Sequence, residues 1–361
     1  MRGFSVFAAV LLFTMQSPAQ ELRESRDVFD NLSAEQLNLI SESRRAAQKE
    51  LDEKAAAFDT PGIASALGFP SYLIAVARIT ALKLPDDTTH RTRVTFHVEQ
   101  YLRGESNLAE FDVESRWVPK SSVSDEGPLI TIFSNYRKTA LDESEPETGH
   151  RYILGYTLDY SDGEPVFALG VVDLQDPAQA ELIGNIRRFF AMDTEASLNG
   201  FETYLELLDD KIPWIRDIAV HRLTESDNCN AAPVCAERFS LAVRRKLQSD
   251  TPNERQEAVF WLVWIDSVSS DRKRYLEGLP VLPDSALRDL FDAAIKDRNV
   301  VIGDEAFMYR EMFEIRRSDS PGECFVIVPP LRKSLRMRSQ AQPPLPPNFP
   351  FTYSYGCLPK Q

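Results

Sequence analysis

The chain has 361 residues, 43% of them hydrophobic, with Lys+Arg 41 against Asp+Glu 55. That length holds two or three domains, each large enough for its own core, and the hydrophobic fraction is that of a chain that folds. A net charge of −14 speaks against a broad phosphate-binding surface and against nucleic acid as a partner, because binding it needs clustered positive charge, and leaves room only for a locally basic patch.

The N-terminus reads as an export signal. Arg2 is the positive region, and Phe4 to Met15 is apolar apart from Ser5 and Thr14. Ser17-Pro18-Ala19 then puts small residues where a signal peptidase reads, which places the cut before Gln20. Such a run spans about 18 Å as helix, short of a ~30 Å hydrocarbon core. The alternative is an uncleaved membrane anchor. No Cys follows the cut, so a lipid anchor is not expected. Residues 1–19 are thus expected to be a signal peptide, and the rest secreted or periplasmic with no membrane insertion.

Residues 20–69 form an N-terminal helical segment, with a helix expected over 21–58. Ser33-Ala34-Glu35-Gln36 is a capping box. Leu37, Ile40, Ala47, Leu51, Ala55 and Phe58 follow at helical spacing, and Thr60-Pro61-Gly62 stops the run. The apolar stripe is narrow, so this helix must pack on something else. Its polar face is mixed in sign rather than basic, unlike a membrane-surface helix.

Over residues 70–192 the period falls to two, then a closing helix follows. Tyr72 to Leu82 is an apolar run; Val94, Phe96 and Val98 alternate with Thr95, His97 and Glu99; Phe111 and Val113 alternate next. Leu129 to Phe133, Tyr152 to Tyr156 and Val166 to Leu174 supply further strands, with a hairpin turn at Ser161-Asp162-Gly163. Six strands in this span fit a small antiparallel β-barrel or sandwich. Asp176-Pro177 opens the helix, and Leu182, Ile183, Ile186, Phe189 and Phe190 give it an apolar face to lay on the sheet. The strand at Ile74 to Ile79, Val94 to Gly104, and Gly149-His150-Arg151-Tyr152-Ile153-Leu154 together resemble the netrin-like domain. That resemblance implies an OB-type barrel. The family's metalloproteinase inhibitors use an N-terminal Cys to chelate zinc, and here no Cys precedes Cys229, so their mechanism is not implied.

Residues 193–316 return to helical period and repeat internally. Pro213-Trp214-Ile215-Arg216-Asp217-Ile218-Ala219-Val220-His221-Arg222-Leu223 aligns with Pro252-Asn253-Glu254-Arg255-Gln256-Glu257-Ala258-Val259-Phe260-Trp261-Leu262, at an offset of 39 residues. Pro, Arg, Ala, Val and Leu coincide. Each segment follows an expected helix, lined by Tyr204, Leu205 and Leu208 in the first copy and by Ala242, Val243 and Leu247 in the second. Thr251-Pro252-Asn253-Glu254 is a second capping box. A two-helix repeat near this length is expected to stack, since one hairpin cannot bury its apolar face alone. Leu207, Leu208, Asp210, Ile215, Arg216, Ala219 and Leu223 resemble the HEAT repeat. A third copy over Leu287 to Met312 has Ile295, Asp297 and Ala306, with Gly303 in place of the Arg.

Residues 317–361 are a Pro-rich tail, Pro343-Pro344-Leu345-Pro346-Pro347 within it. It reads either as a stiff loop capping the last repeat or as a ligand for an aromatic groove. Arg332, Lys333, Arg336 and Arg338 form a basic run, read as a solvated face or a counterpart to the acidic body. Cys229, Cys235, Cys324 and Cys357 are an even set in a disulfide-permissive compartment, and proximity favours Cys229–Cys235 and Cys324–Cys357 among three pairings. Zinc ligands come as two close pairs, and only the first pair here is close, so no metal site is expected.

No catalytic or cofactor-binding residue is assigned. The chain has no G-x-S-x-G elbow, phosphate loop, H-E-x-x-H or dinucleotide fingerprint, and His90, His97, His150 and His221 are scattered. Asp142 to Glu147 reads as a charged loop. Trp214, Trp261 and Trp264 lie on repeat helices, as core residues or as binding anchors. The fold class expected is α+β multi-domain, a small antiparallel β-barrel or sandwich followed by a short HEAT-like helical stack. The function expected is non-catalytic interaction with an unidentified protein partner. The alternative is an extracytoplasmic hydrolase in which Asp159, Asp162 and Glu164 converge with a His between the β and helical domains.

Overall fold

The computed structural model describes residues 33–55, 67, 71–84, 92–115, 147–158, 165–166, 171–175, 181–275, 281–318, 323–337, 345 and 350–358. The class is α+β: an antiparallel sheet comes first along the chain, and helices fill most of the C-terminal half. The residues divide into two compact units that interleave in sequence. One is Lys54–Val243 with Ser267–Pro283; the other is Met1–Glu53, Arg244–Asp266 and Asp284–Gln361. The signal segment, Leu129–Phe133, the Ser161-Asp162-Gly163 turn, Asp176-Pro177, His90 and Asp142–Pro146 lie outside the described residues.

In the first unit, β1 (Leu73–Lys83), β2 (Thr92–Arg103), β3 (Glu110–Ser115), β4 (Arg151–Leu158) and β5 (Pro165–Val166) form an antiparallel sheet in the order β3-β2-β1-β4-β5, and β6 (Val171–Asp173) also pairs with β4. Alternation sets the core face. Ala75, Ala77 and Ile79 of β1, Val94 and Phe96 of β2, Phe111 of β3 and Tyr152, Leu154 and Tyr156 of β4 are buried together. Phe96 meets Tyr152 edge-on at 5.9 Å between ring centroids, and Phe111 lies 5.2 Å from Tyr156. Ile74, Val76 and Ile153 are buried as well, so the central strands are covered on both faces.

The sheet does not close into the expected barrel. Closure would need β3 to pair with β5, and the described strands leave these at opposite ends. A helix covers part of the sheet instead. Residue Arg187 of α2 (Leu182–Asn199) donates to Gln100 Oε1 at 2.9 Å, and the Arg103 guanidinium lies 4.9 Å from the Phe190 ring centroid. Leu182, Ile186 and Phe189 are buried, the apolar face that helical spacing places there. Phe189 also packs edge-on to Trp214 at 5.7 Å, joining α2 to α4 (Pro213–Glu225), while α3 (Glu202–Leu207) buries Tyr204, Leu205 and Leu207. The short α5 (Asp227–Ala231) is capped by Ser226, whose Oγ accepts from the Cys229 amide. The Cys229–Cys235 disulfide ties it to α6 (Pro233–Leu247).

The second unit contains α1 (Ala34–Ala55), most of α7 (Pro252–Tyr275), α8 (Asp284–Ala294) and α9 (Val300–Arg316). The first capping box is formed: Ser33 N donates to Gln36 Oε1 at 2.9 Å and Gln36 N to Ser33 Oγ at 3.1 Å. The second is rearranged. The Thr251 amide donates to Ser249 Oγ at 3.1 Å, and that hydroxyl donates to Glu254 at 2.5 Å. Ser249, not Thr251, thus stands between the amide and the carboxylate.

The tail is a sheet as well as a loop. β7 (Cys324–Val328), β8 (Lys333–Met337) and β9 (Ser354–Cys357) pair antiparallel in the order β8-β7-β9. Cys324 and Cys357 face each other in the register and are disulfide-bonded. Val326, Val328 and Met337 gather on the disulfide, with Leu345 of the Pro-rich stretch packed against them.

Candidate functional site

Three positions along the helical region share one local design. Asp210 Oδ1 accepts from the Ile212 amide at 2.8 Å, Ser249 Oγ from the Thr251 amide at 3.1 Å, and Asp297 Oδ1 from the Asn299 amide at 2.7 Å. Each side chain turns the backbone into the next helix by satisfying an amide that would otherwise be left over. Six residues after the first two stands a buried arginine. Arg216 donates to the Asp210 carbonyl at 2.6 Å, and Arg255 to the Ser249 carbonyl at 2.9 Å. The two acids also receive an arginine from an earlier element. Arg188 of α2 binds Asp210 through two hydrogen bonds of 2.8 and 2.9 Å, and Arg255 of α7 reaches Asp297 at 2.8 Å. Burial would raise the Asp210 carboxyl, but Arg188 and the Ile212 amide hold it below the usual range.

Gly303 lies six residues after Asp297, where the arginine is missing. A Cβ at Gly303 would stand 2.5 Å from Nη2 of Arg332 and 2.9 Å from the Ile295 carbonyl oxygen. The guanidinium of a tail residue therefore occupies the space beside the glycine. Arg332 itself has φ 48, in the left-handed region, and its Nε lies 3.4 Å from Asp304. One member of the basic run is thus a local counterpart to an acid.

The tryptophans separate into two kinds. Trp214 and Trp261 are buried. Lys246 sits 4.7 Å over the Trp261 ring and pairs with Glu257 at 2.9 Å, so that face of α7 is closed. The flank of the helix next to it is not. Phe260 is 49% exposed, and Val263 and Trp264, three and four residues on, are half-buried on the same side of the helix. Gln256, one turn before Phe260, donates to Glu305 of α9 at 3.1 Å. Burial raises the Glu305 carboxyl despite that bond, and burial also raises the Tyr309 hydroxyl one turn along α9. Phe260, Val263 and Trp264 thus form an aromatic and apolar flank on α7, and Gln256 one turn before it links α7 to the raised carboxyl of Glu305. Glu305 interacts with the Tyr309 hydroxyl, which burial also raises, and none of these residues is an imidazole.

The histidines do not assemble. His97 lies on β2, half-exposed; His150 Nε2 is 3.3 Å from Glu147; His221 lies on α4, where burial and then Arg222 push it down to about 4. Asp159, Asp162 and Glu164 fall outside the described residues. A shallow depression at the β2–β3 turn is lined by Tyr101, Glu105, Ser106 and Asn107. Among the described residues no group of three or more His, Cys, Asp or Glu is placed to hold a metal ion, and no helix is long and apolar enough to cross a membrane.

Phe260 was not singled out by the sequence, although the repeat alignment places it between buried Val259 and Trp261. The signal was there: an apolar residue off the helical stripe. No protein family, curated protein or solved structure matches the chain.

Proposed function

We propose that this is an extracytoplasmic, non-catalytic protein-interaction protein whose helical region consists of HEAT-like hairpins. The observation that carries the reading is Phe260, half-exposed on α7 beside Val263 and Trp264. An exposed phenylalanine flanked by a half-buried tryptophan is unfavourable in water and is the type of side chain that anchors an interface. The hairpin reading is supported by Arg216 and Arg255. They lie 39 residues apart and each donates to a carbonyl six positions back. Export is supported by the two disulfides, which persist in oxidising compartments, and by the leader-like residues 1–19. An exported chain beginning at Gln20 in its intact mass is the expected result; retention of Met1 contradicts it.

The test is capture from the extracytoplasmic fraction with the full chain as bait. The expected result is a specific protein retained by wild type and lost with Phe260→Asp. That substitution lies on the surface and should leave folding stability within about 0.5 kcal/mol. No partner above background, or equal capture by both baits, contradicts the reading.

A further inference from the structure

The tail and α1 meet at one carboxylate. Both lie in the unit that holds α9, and both supply a cation to Asp304, which is buried. Arg44 of α1 donates to Asp304 Oδ2, and Arg332 of the tail donates to Oδ1 at 3.4 Å. Each oxygen thus serves a different segment of the chain.

Arg332 is held from behind. It ends the turn Pro329–Leu331 in the left-handed region, with φ 48 and ψ 43. Leu331, next to it, packs on the cluster of Cys324, Val326, Val328 and Met337, as Cys357 does. The Cys324–Cys357 disulfide closes that cluster. Ser334 donates to Glu311 of α9, and Ser354 Oγ lies 3.2 Å from Met308 Sδ on the same helix. A path of packed groups therefore runs from the disulfide through Leu331 and Arg332 to Asp304, and from there to Arg44.

The two contacts at Asp304 support each other. Burial raises its carboxyl, and Arg44 and Arg332 both act against that rise. With either cation gone, the buried carboxylate is less well compensated and holds a proton more tightly, which weakens its pair with the other. The left-handed backbone of Arg332 persists only where the surrounding tail imposes it. Along α1, the side-chain amides of Asn253 and Asn299 hold the Leu51 and Ala47 carbonyls. Arg44 lies on the N-terminal side of both, toward the half-buried Leu37 and Ile40.

We propose that Asp304 couples the seating of α1 to the closed state of the tail, so that reduction of Cys324–Cys357 loosens the N-terminal half of α1. The reductant is a dithiol. Its thiolate attacks the sulfur of Cys357, the partly exposed member, and its second thiol resolves the mixed disulfide. Two electrons and two protons leave Cys324 and Cys357 as thiols, and the dithiol becomes a disulfide. Coupling is reciprocal, so an unseated α1 makes the tail disulfide easier to reduce. This inference does not depend on the Phe260 surface.

Hydrogen exchange on the full-length chain tests it. Dithiothreitol should speed exchange over residues 34–46 by about fivefold or more, while α8 changes by less than about twofold. Arg332→Gly suits the left-handed backbone and removes the guanidinium. It should speed the same residues by a similar factor with the disulfide intact, and dithiothreitol should then add nothing. Arg332→Lys keeps the charge and should keep the wild-type response. Arg44→Ala should lower the dithiothreitol concentration that half-reduces Cys324–Cys357, read by alkylation of Cys357, by about fivefold. Unchanged exchange over residues 34–46 in the Arg332→Gly chain, or acceleration that spreads equally to α8, overturns the proposal. A half-reduction point indifferent to Arg44→Ala overturns it as well.

Discussion

Arg255 and Asp297 each keep only 3% of the side chain exposed, and the arginine also caps the Ser249 carbonyl. Arg255→Ala leaves the Asp297 carboxylate buried without its cation, a change that costs about 3–5 kcal/mol. Urea melts should show an unfolding free energy lower by that amount; a loss below about 1 kcal/mol would mean that water replaces the guanidinium. Gly303 carries the opposite lesson. Gly303→Ala places a methyl against Arg332 Nη2 and the Ile295 carbonyl oxygen, and overpacking of this kind costs about 1–3 kcal/mol. Adding Arg332→Ala should recover only part of the loss, because the side chain can leave and the carbonyl cannot. Full recovery in the double variant would contradict the packing described here.

At the scale of elements, much of the structure is legible in short-range chemistry. The Ser33 box, the strand alternation at Val94 and Phe96, and the apolar face from Leu182 to Phe189 each follow from a period or a cap. What escaped depends on distant partners. The Thr251 box looks complete in sequence, but Ser249 stands closer to the amide. The tail strand Cys324–Val328 is a β-branched run that the neighbouring prolines disguise. Barrel closure could not be judged from strand number, since it is a property of which edges meet. The disulfides act at this scale too. Removing Cys324–Cys357, whose members are 33 residues apart, should destabilise by about 4 kcal/mol in the chain-entropy model, and removing Cys229–Cys235, 6 apart, by about 2 kcal/mol. Urea melts of the paired Cys→Ala variants check the order; a larger effect from the shorter loop would contradict it.

At the scale of the molecule, the shifts of His221 and Asp210 in one unit and of Asp304 and Glu305 in the other run in opposite senses, while Glu314 of α9 is held low by Arg288. His221 has a folded pKa of about 4 against 6.5 for the free group, because burial and Arg222 disfavour its proton. The folded form therefore binds that proton less readily, and stability falls as pH drops from about 6.5 to about 4. Asp210, held low, adds a loss as pH falls through its own folded value. Both lie in the unit that contains the sheet. Asp304 and Glu305 lie in the other. Burial raises both carboxyls, outweighing Arg44 and Arg332 at the first and Gln256 at the second. Their contribution is greatest at low pH and declines as pH rises through the folded values. Hydrogen exchange at pH 7 and pH 4.5, corrected for the intrinsic rates, should show protection falling in the sheet unit and holding or rising around Asp304 and Glu305. Parallel loss in both would contradict these assignments.

The central claim is that the exposed side of α7 meets another protein, and it is tested most directly by chemistry at that position in the cell. A photoreactive phenylalanine analogue in place of Phe260, with one at exposed Asp112 of β3 as control, reports what lies within bonding distance on irradiation. The prediction is a discrete adduct with a single protein species from position 260 and none from position 112. No adduct at either, or the same diffuse smear from both, would contradict the claim that this face is an interface.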